Sequence, residues 1–360
     1  MVLNPDMPEV NNSVTRPLVS VLLATRNEEA FIERTLASLL QQKCSGFDLE
    51  ILVIDGLSTD STLRRIAEVA GRDPRVRVIN NSDREIPFAW NLGVKAAAGE
   101  YVCTLGAHCV YEPEYLSVCL GELGANGAVG CGGRAITRCA KGSVQARLCG
   151  WILGHPFGCS TRSFRTQPEG FVDSPAYPVF LKGAIVRAGG FDENLHRNED
   201  NDMSRKLRAA GGKLYCTWKT RCYYFGKSRL PDLFRYAFRN GLWNAIGLGK
   251  NLRMMSLRHF VPFGFILTLV LLALASLVPS PFASGACIGL LGLVALHMSG
   301  GFLAGLHIAV KERRWEALSL PLFFLIFHMA YGTGTCWGFA KVMTKMARGQ
   351  PGNIRREPAA

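Results

Sequence analysis

The chain has 360 residues, a formal net charge of +13, 48% hydrophobic residues and only 19% charged residues. This length allows one large domain or two ordinary ones, and the apolar content excludes an intrinsically disordered chain, a coiled coil and a collagen-like fibre. The charged fraction lies below the roughly 25% of soluble domains and argues against a wholly soluble protein.

The first hundred residues alternate between short apolar runs and amphipathic segments. The pattern predicts strands at 18–24, 49–54, 76–79 and 101–105, with a helix after each of the first three. Apolar strands that alternate with helices are typical of a parallel sheet covered by helices on both faces. The expected fold class is therefore α/β, and such sheets bind ligands at the carboxyl ends of their strands.

Polar loops follow three of the predicted strands. They are Thr25-Arg26-Asn27-Glu28, Asp55-Gly56-Leu57-Ser58-Thr59-Asp60 and Gly106-Ala107-His108. No GxGxxG follows the first strand and no GxxxxGK[ST] occurs, which argues against a dinucleotide dehydrogenase and a P-loop NTPase. A carboxylate in such a loop can accept a hydrogen bond from a ribose hydroxyl or a base N–H. Asp60 can equally cap the following helix, whereas Asp55 directly follows a strand.

Acidic residues cluster between Asp192 and Asp202, just before a short predicted helix that ends at a glycine pair. One interpretation is a solvated helix start, where acids are favoured by the helix dipole. The other is a general base, a carboxylate that takes a proton from an attacking hydroxyl group.

The excess positive charge is concentrated in one segment. Between Arg205 and Arg258 there are thirteen Lys or Arg residues and one acid, Asp232. Such a segment can bind nucleic acid, anionic lipid or phosphorylated substrates. Because an apolar run follows it directly, we expect a membrane surface as its partner and no nucleic acid.

Three uncharged runs follow, at 259–278, 282–310 and 317–340. Each is long enough for a helix that crosses a bilayer. A buried helical hairpin is the alternative, and three such runs in succession favour membrane helices.

The distribution of Lys and Arg predicts the orientation of these runs. Basic residues before the first run and after the second place the N-terminal domain and the 311–316 loop in the cytoplasm. The tail after Ala340 is also basic, which conflicts with a third crossing. A re-entrant third run, a further span and a local exception to the rule remain as alternatives.

In combination and order, these motifs resemble the family 2 inverting glycosyltransferases with the GT-A fold, in the bacterial exopolysaccharide branch that includes the succinoglycan glucosyltransferase. The resemblance covers roughly residues 17–245, and part of the final apolar run, HMAYGTGTCWG, also fits it. It is carried by VSVLLATRNEEAFIERTLASLLQQ, EILVIDGLSTDSTLRRI, IPFAWNLGVKAAAGEYV, FLKGAIVRAGGFDENLHRNEDNDMSRKLRAAGG and RYAFRNGLW.

The resemblance implies roles for individual residues. Asp55 would hold the base or ribose of a nucleotide-sugar, and Asp200, beside Glu199, would be the catalytic base. The remainder of the donor pocket would be formed by Thr25, Arg26, Asn27, Glu28, Asp60 and, behind them, Asn91. A basic and aromatic segment near the membrane would close over the donor diphosphate or the acceptor with Arg235, Arg239 and Trp243.

The resemblance also implies a divalent metal, Mn²⁺ or Mg²⁺, but its motif is incomplete. The family usually has Asp-x-Asp after the fourth strand, or Asp-Ala-His in this branch, where this chain has Gly106-Ala107-His108. His108 remains as a ligand, and one ligand is few for a hard cation. In one alternative the donor phosphates complete the shell; in the others the basic segment replaces the metal, or activity is lost. The chain also lacks the Gln of the QxxRW box of processive synthases.

The function that the resemblance implies is a hexosyltransferase in exopolysaccharide or cell-surface polysaccharide biosynthesis. It would move a sugar from a nucleotide-sugar to a polyprenyl-linked or other membrane-held saccharide, at the bacterial inner membrane with a cytoplasmic catalytic domain. The alternative is a catalytically impaired homologue that acts as a partner in a membrane complex. The expected division is a flexible N-terminus, a GT-A domain, a basic juxtamembrane segment, about three spans and a basic tail, at 1–16, 17–228, 229–258, 259–340 and 341–360.

Overall fold

The structure is a computed structural model of the whole chain, and it describes residues 16–138, 143–195, 197–250 and 257–347. The predicted flexible N-terminus lies outside the described residues except for its last position. Most of the predicted basic tail and residues 251–256 of the basic segment also lie outside them.

Nine strands form one mixed sheet in the order β3-β2-β1-β4-β8-β6-β9-β5, with β7 paired to β9. The strands are β1 (Leu18–Thr25), β2 (Asp48–Asp55), β3 (Val76–Asn80), β4 (Tyr101–Gly106), β5 (Cys109–Tyr111), β6 (Gly130–Arg138), β7 (Gly170–Phe171), β8 (Val179–Leu181) and β9 (Leu214–Phe225). The four predicted strands are β1 to β4, each confirmed to within one residue at either end. The pairs β1–β2, β1–β4, β2–β3 and β6–β9 are parallel and long.

The antiparallel part of the sheet was not predicted. It consists of two- and three-residue pairings that connect β4 to β8, β8 to β6, and β9 to β5 and β7. Two or three residues are too few to show an alternation of apolar and polar side chains, so no local pattern predicts these strands. They are held in place by pairing with strands distant in the chain.

Twelve helices lie in the described residues. They are α1 (Ile32–Leu40), α2 (Thr62–Ala70), α3 (Ile86–Ala96), α4 (Tyr115–Ala125), α5 (Val144–Gly154), α6 (Pro156–Cys159), α7 (Lys182–Arg187), α8 (Glu199–Ala209), α9 (Leu230–Lys250), α10 (Val261–Leu277), α11 (Ala283–Glu312) and α12 (Leu320–Ala347). Short 3-10 turns precede α10 and α12, at Leu257–Phe260 and Trp315–Ser319.

Helices cover both faces of the sheet, as predicted. Because successive strand residues point to opposite faces, Val21 and Leu23 pack against α1, α2 and α4, whereas Leu22 packs against α3, α7 and α8. The two buried layers hold the carboxyl ends of β1, β2 and β4 in register at one edge of the sheet.

Within the described ranges, three helices are long and apolar enough to cross a membrane, at Arg258–Leu277, Ala283–Glu312 and Trp315–Thr344. They coincide with the three predicted runs. A third apolar cluster joins α11 and α12 to α5 and α9, so these helices pack against the sheet domain.

Candidate active site

The ends of β1 and β2 are adjacent because Thr25 and Asp55 are paired in the parallel register. Asp55 is 2% exposed, and its carboxylate accepts hydrogen bonds from the backbone N–H of Ser58 at 3.0 Å and from the Ser58 hydroxyl at 2.5 Å. The Thr25 hydroxyl donates to the carbonyl of Leu23 at 3.1 Å. Asp55 therefore fixes the loop after β2, and each of its oxygens keeps a lone pair for a further donor.

Asn27 and Asp60 join the loops that follow β1 and β2. The side-chain oxygen of Asn27 accepts from the Thr59 N–H at 2.8 Å. The Asp60 carboxylate accepts from the Thr62 N–H at 2.9 Å and from the Glu29 N–H at 3.3 Å. Asp60 thus lies one residue before Ser61, the N-cap of α2, and bonds the N–H of the first helical residue, while the nearby Arg26 is exposed.

Glu28 and His108 form a pair between the ends of β1 and β4. Nδ1 of His108 lies 3.0 Å from Oε1 of Glu28, and its ring packs edge-on against Tyr224 at 5.1 Å. The Glu28 backbone N–H donates to the Thr62 hydroxyl at 2.7 Å, which fixes the position of the carboxylate. With Nδ1 engaged, the imidazole has Nε2 available for a ligand.

Tyr177 crowds the position of the missing carboxylate. A Cβ atom at Gly106 would lie 3.0 Å from Cε1 of Tyr177 and 3.3 Å from Sγ of Cys109. The backbone of Gly106 is not in the left-handed region, whereas Tyr177 itself has φ of 45°. Space, not backbone conformation, therefore favours glycine at this position.

The described residues fit a divalent cation only as part of a shared shell. No group of three or more His, Cys, Asp or Glu residues able to hold a metal occurs in the described part of the chain. His108 and Glu28 supply one imidazole and one carboxylate, and the phosphates of a bound donor and water would have to supply the remaining ligands.

Glu199 and Asp200 begin α8, directly after Asn198 in the left-handed conformation. Asp200 is exposed, and its Oδ1 accepts from the Asn201 N–H at 2.8 Å. Solvent can reach the Asp200 residue, but the surrounding protein still removes part of the water around its carboxyl group. This desolvation raises the pKa of Asp200. Desolvation and the adjacent Asp200 charge also raise the pKa of Glu199. The pair thus retains protons better than ordinary carboxyl groups, as a general base requires.

Asp202, one turn into the same helix, is not available as a base. Its side chain is 7% exposed and forms ion pairs with Arg205 at 2.8 Å and Lys206 at 3.2 Å. Both partners compensate its charge within α8.

Arg165 is a candidate site residue that the sequence did not predict. Its guanidinium group lies 4.9 Å from the centre of the Tyr224 ring, against which His108 packs. Its positive charge lowers the pKa of Asp200, although desolvation has the larger, opposite effect. Arg165 thus joins the His108 side of the site to the acid pair. It lies in an irregular segment without a recognisable motif, so no sequence signal identifies it.

Asn91 supports the segment that leads to the acid pair. Its side chain accepts from the Phe191 N–H at 2.9 Å, and donates to the Phe191 carbonyl and to Glu193, both at 2.9 Å. All of these bonds are to the 191–193 segment, so Asn91 lies behind the site.

The three predicted residues of α9 differ in exposure. Arg235 is exposed and pairs with Asp232 on its own helix at 3.0 Å. Arg239 and Trp243 are half-buried on the same helix and have interactions of their own. The residues one position further along α9, Tyr236, Asn240 and Asn244, contact the segment before Glu199.

An open cavity lies near the carboxyl end of α8, away from the acid pair. Its lining includes Arg162, Arg208 and Lys213 together with Phe171 and Asp173. None of the predicted site residues lines it, so this cavity is not the predicted donor pocket.

Comparisons with known proteins agree with this architecture. Residues 20–186 match the sequence model of the family "Glycosyl transferase family 2". The succinoglycan biosynthesis protein ExoA of Rhizobium meliloti is 26% identical over 310 residues, which are 82% of this chain and 92% of that protein. The Methanococcus voltae dolichyl N-acetyl-alpha-D-glucosaminyl phosphate 3-beta-D-2,3-diacetamido-2,3-dideoxy-beta-D-glucuronosyltransferase is 22% identical over 332 residues, 90% of this chain and 97% of that protein.

A solved structure is also similar in fold. The mannosyltransferase PcManGT from Pyrobaculum calidifontis, in complex with GDP-Man and Mn²⁺, superposes with a TM-score of 0.56. The superposition has 17% sequence identity and covers 90% of this chain and 88% of that one. Residues 20–186 of this chain are therefore a glycosyltransferase family 2 domain, and the fold is that of the GT-A glycosyltransferases.

Proposed function

We propose that the chain transfers a sugar, with inversion at the anomeric carbon, from a nucleotide-sugar to a saccharide acceptor held at a membrane. The observation that carries the proposal is Asp200, a solvent-accessible carboxylate with a raised pKa that begins a helix beside Glu199 and Arg165. A carboxylate of this kind can remove a proton from an acceptor hydroxyl group.

The donor would bind at the carboxyl ends of β1 and β2. The Asp55 oxygens accept hydrogen bonds from the nucleoside in this proposal, while Asn27 and Asp60 hold the two loops together. The GDP-Man complex of the similar mannosyltransferase supports a nucleotide-sugar as the donor class. Arg26 is exposed beside this edge, where it can approach the donor.

The transfer is a single displacement. Asp200 takes the proton of the acceptor hydroxyl group, the acceptor oxygen forms a bond to the anomeric carbon, and the bond to the nucleoside diphosphate breaks on the opposite face. One displacement inverts the anomeric configuration. Arg165 offers a positive charge beside the site, burial maintains the proton affinity of Asp200, and the Asp200 charge raises the pKa of the neighbouring Glu199.

His108 and Glu28 would hold a divalent cation together with the donor phosphates. A bound Mn²⁺ or Mg²⁺ supplies Lewis-acid stabilisation of the charge on the leaving diphosphate. Glu28 orients the imidazole through Nδ1, so that Nε2 faces the ligand. The Mn²⁺ in the mannosyltransferase complex supports this assignment.

The acceptor would be a polyprenyl-linked or similar lipid-linked saccharide. The apolar helices attach the domain to a membrane, and the name of the Methanococcus voltae relative includes a dolichyl phosphate substrate.

We infer a bacterial inner membrane with the catalytic domain on the cytoplasmic side, because basic residues flank α10 and α11 on the domain side. The domain division follows: a catalytic domain at 17–228, a basic segment at 229–258 and a membrane region at 259–340.

The test compares wild type with Asp200→Asn and Asp202→Asn in a detergent-purified full chain. UDP- and GDP-sugars are supplied with a membrane lipid extract, and NMR of the product gives the anomeric configuration. Asp200→Asn should lose about 10²–10⁴-fold in turnover while the donor still binds. Asp202→Asn controls for the loss of a nearby carboxylate, and its turnover should stay well above that of Asp200→Asn. Retained turnover in Asp200→Asn, or retention of configuration, would contradict the mechanism, and donor binding without turnover in the wild type would favour the impaired homologue.

A further inference from the structure

We propose that α12 lies along the membrane surface against the catalytic domain and does not cross the bilayer. The chain beyond α12 then stays on the same side as the catalytic domain. The inference is independent of the proposed reaction. The partner of α12 in this proposal is the lipid bilayer, which contacts only the helix face that points away from the catalytic domain.

The beginning of α12 is attached to the catalytic domain. Glu316, in the turn that precedes the helix, forms an ion pair with Arg147 of α5 at 2.5 Å. Leu320 and Phe324 are fully buried in a cluster that also contains Leu148 of α5. This end of α12 is therefore at the level of the domain.

The second half of α12 is attached to α9. A methyl group at Gly241 of α9 would overlap the Tyr331 carbonyl, and one at Gly334 would overlap the Phe238 carbonyl. A Cβ at Gly338 would lie 2.5 Å from the carbonyl oxygen of Leu242. The two backbones are thus in direct contact, and the helices run in the same direction side by side.

The position of α9 fixes the position of α12. Asn240 accepts a hydrogen bond of 2.7 Å from Arg197, and Asn244 accepts one of 2.7 Å from Asn198, both next to the acid pair. A helix bonded to the active-site segment, with an exposed Arg235, cannot lie in hydrocarbon, where charged groups are strongly disfavoured. Because α12 packs alongside α9, it lies at the membrane surface.

The hairpin of α10 and α11 has a different environment. A Cβ at Gly301 would lie 2.9 Å from Pro321 at the start of α12, and Phe260 stacks near Phe339 towards its other end at 6.4 Å. Both ends of α12 therefore contact the parts of the hairpin nearest the domain. The remaining part of the hairpin projects away, with exposed apolar residues such as Leu271 at 57% and Leu291 at 65%.

Burial and charge agree with this arrangement. Only 6% of the most apolar stretch of α10 and of α11 is buried in the protein, whereas 39% of the corresponding stretch of α12 is buried. The exposed residues of α12 form an uncharged stripe that includes Leu322, Met329 and Trp337, which can face lipid. The basic residues after Ala340 then lie on the cytoplasmic side together with the other basic loops, and the conflict in the charge distribution disappears.

The test uses the full chain expressed in a bacterium with a reporter at its carboxyl end. Green fluorescent protein reports the cytoplasmic side, and alkaline phosphatase reports the other side. We expect a fluorescent fusion and an inactive phosphatase, with an amino-terminal tag and a carboxyl-terminal tag accessible to protease from the same side of inverted vesicles. Phosphatase activity, or tags on opposite sides, would overturn the proposal.

A matched pair of substitutions tests the same point without a fusion. Leu271→Lys places a charge on the exposed face of α10, and Met329→Lys places one on the exposed face of α12. We expect Leu271→Lys to lower the membrane-bound yield several-fold and Met329→Lys to leave it near wild type, since a lysine at the surface reaches water. An equal loss in both variants would mean that α12 is as deep as α10 and would contradict the inference.

Discussion

Asn198 donates a hydrogen bond of 2.7 Å from its Nδ2 to Oδ1 of Asn244 on α9. Asn198 directly precedes the acid pair and has φ of 65°, a conformation that asparagine tolerates better than most residues. Asn244 is 3% exposed, and its own Nδ2 donates to the Tyr331 hydroxyl of α12. A short series of polar contacts thus connects the start of α8 to α12.

We predict that Asn244→Ala lowers kcat by about 10- to 100-fold, because a small displacement of the base is costly. The donor Kd, measured by calorimetry, should stay near wild type, since Asn244 is not in the proposed donor pocket. Asn198→Gly keeps the left-handed backbone and removes the same bond, so it should show the same loss of kcat. A normal kcat in both variants would show that this bond does not position Asp200.

The pH dependence of turnover should report the Glu199–Asp200 pair. Asp200 acts in its ionised form, and its pKa is raised by desolvation, so activity should fall as pH drops through this raised value. The pKa of Glu199 is raised to about 8, so Glu199 stays protonated while Asp200 ionises, and Glu199→Gln should leave the acidic limb of the kcat profile near its wild-type position. Arg165→Leu removes the charge that lowers the pKa of Asp200, so it should move the limb to higher pH. A limb that moves in Glu199→Gln as far as in Arg165→Leu, or that stays in place in Arg165→Leu, would contradict the assignment.

Glu199→Gln should also stabilise the fold in a pH-dependent way. The folded pKa of Glu199 lies above its unfolded value, so the folded state binds more protons and the free energy of unfolding falls as pH rises through that window. The variant should therefore have a higher Tm than wild type at pH 8. The gain should vanish near pH 4, where unfolded glutamate is about half protonated, with a pKa of about 4.3. A Tm gain independent of pH would indicate a packing effect.

Asp55→Ala should weaken nucleotide binding by about 1–3 kcal/mol, the cost of a lost hydrogen-bond acceptor in a desolvated site. Because Asp55 also holds Ser58, the variant Ser58→Ala serves as its control and removes only the bond from the Ser58 hydroxyl. A nucleotide Kd that rises equally in both variants would assign the effect to the loop. An unchanged Kd in Asp55→Ala would exclude Asp55 from the donor pocket.

His108→Ala should abolish any stimulation of donor binding by Mn²⁺, and Glu28→Gln should weaken it less, since Glu28 acts through the imidazole. Gly106→Asp would restore the missing carboxylate, but its Cβ would press against Tyr177, so Gly106→Ala must be measured beside it. Tighter Mn²⁺ binding in Gly106→Asp than in Gly106→Ala would support a metal beside His108. Full turnover of the wild type in EDTA would contradict the metal assignment.

The sequence by itself determined the four parallel strands β1 to β4 and the apolar helices, but not the parallel pair of β6 and β9. Strands β1 to β4 are continuous apolar runs, and the helices between them have their own periodicity, so each element is specified by neighbouring residues. The same local logic located the three apolar helices and the short helix after the acidic residues, although α8 begins at Glu199 and so includes Asp200, which the sequence placed before the helix.

Only the tertiary structure decided the rest, because the decisive contacts join residues far apart in the chain. The three residues of β8 become a strand through pairing with β4 and β6. Arg165 reaches the acid pair across a fold that no local pattern encodes, and the face of α9 towards Asn198 was chosen by packing. Apolar composition allowed α12 to cross a membrane, but its glycine contacts with α9 hold it against the catalytic domain.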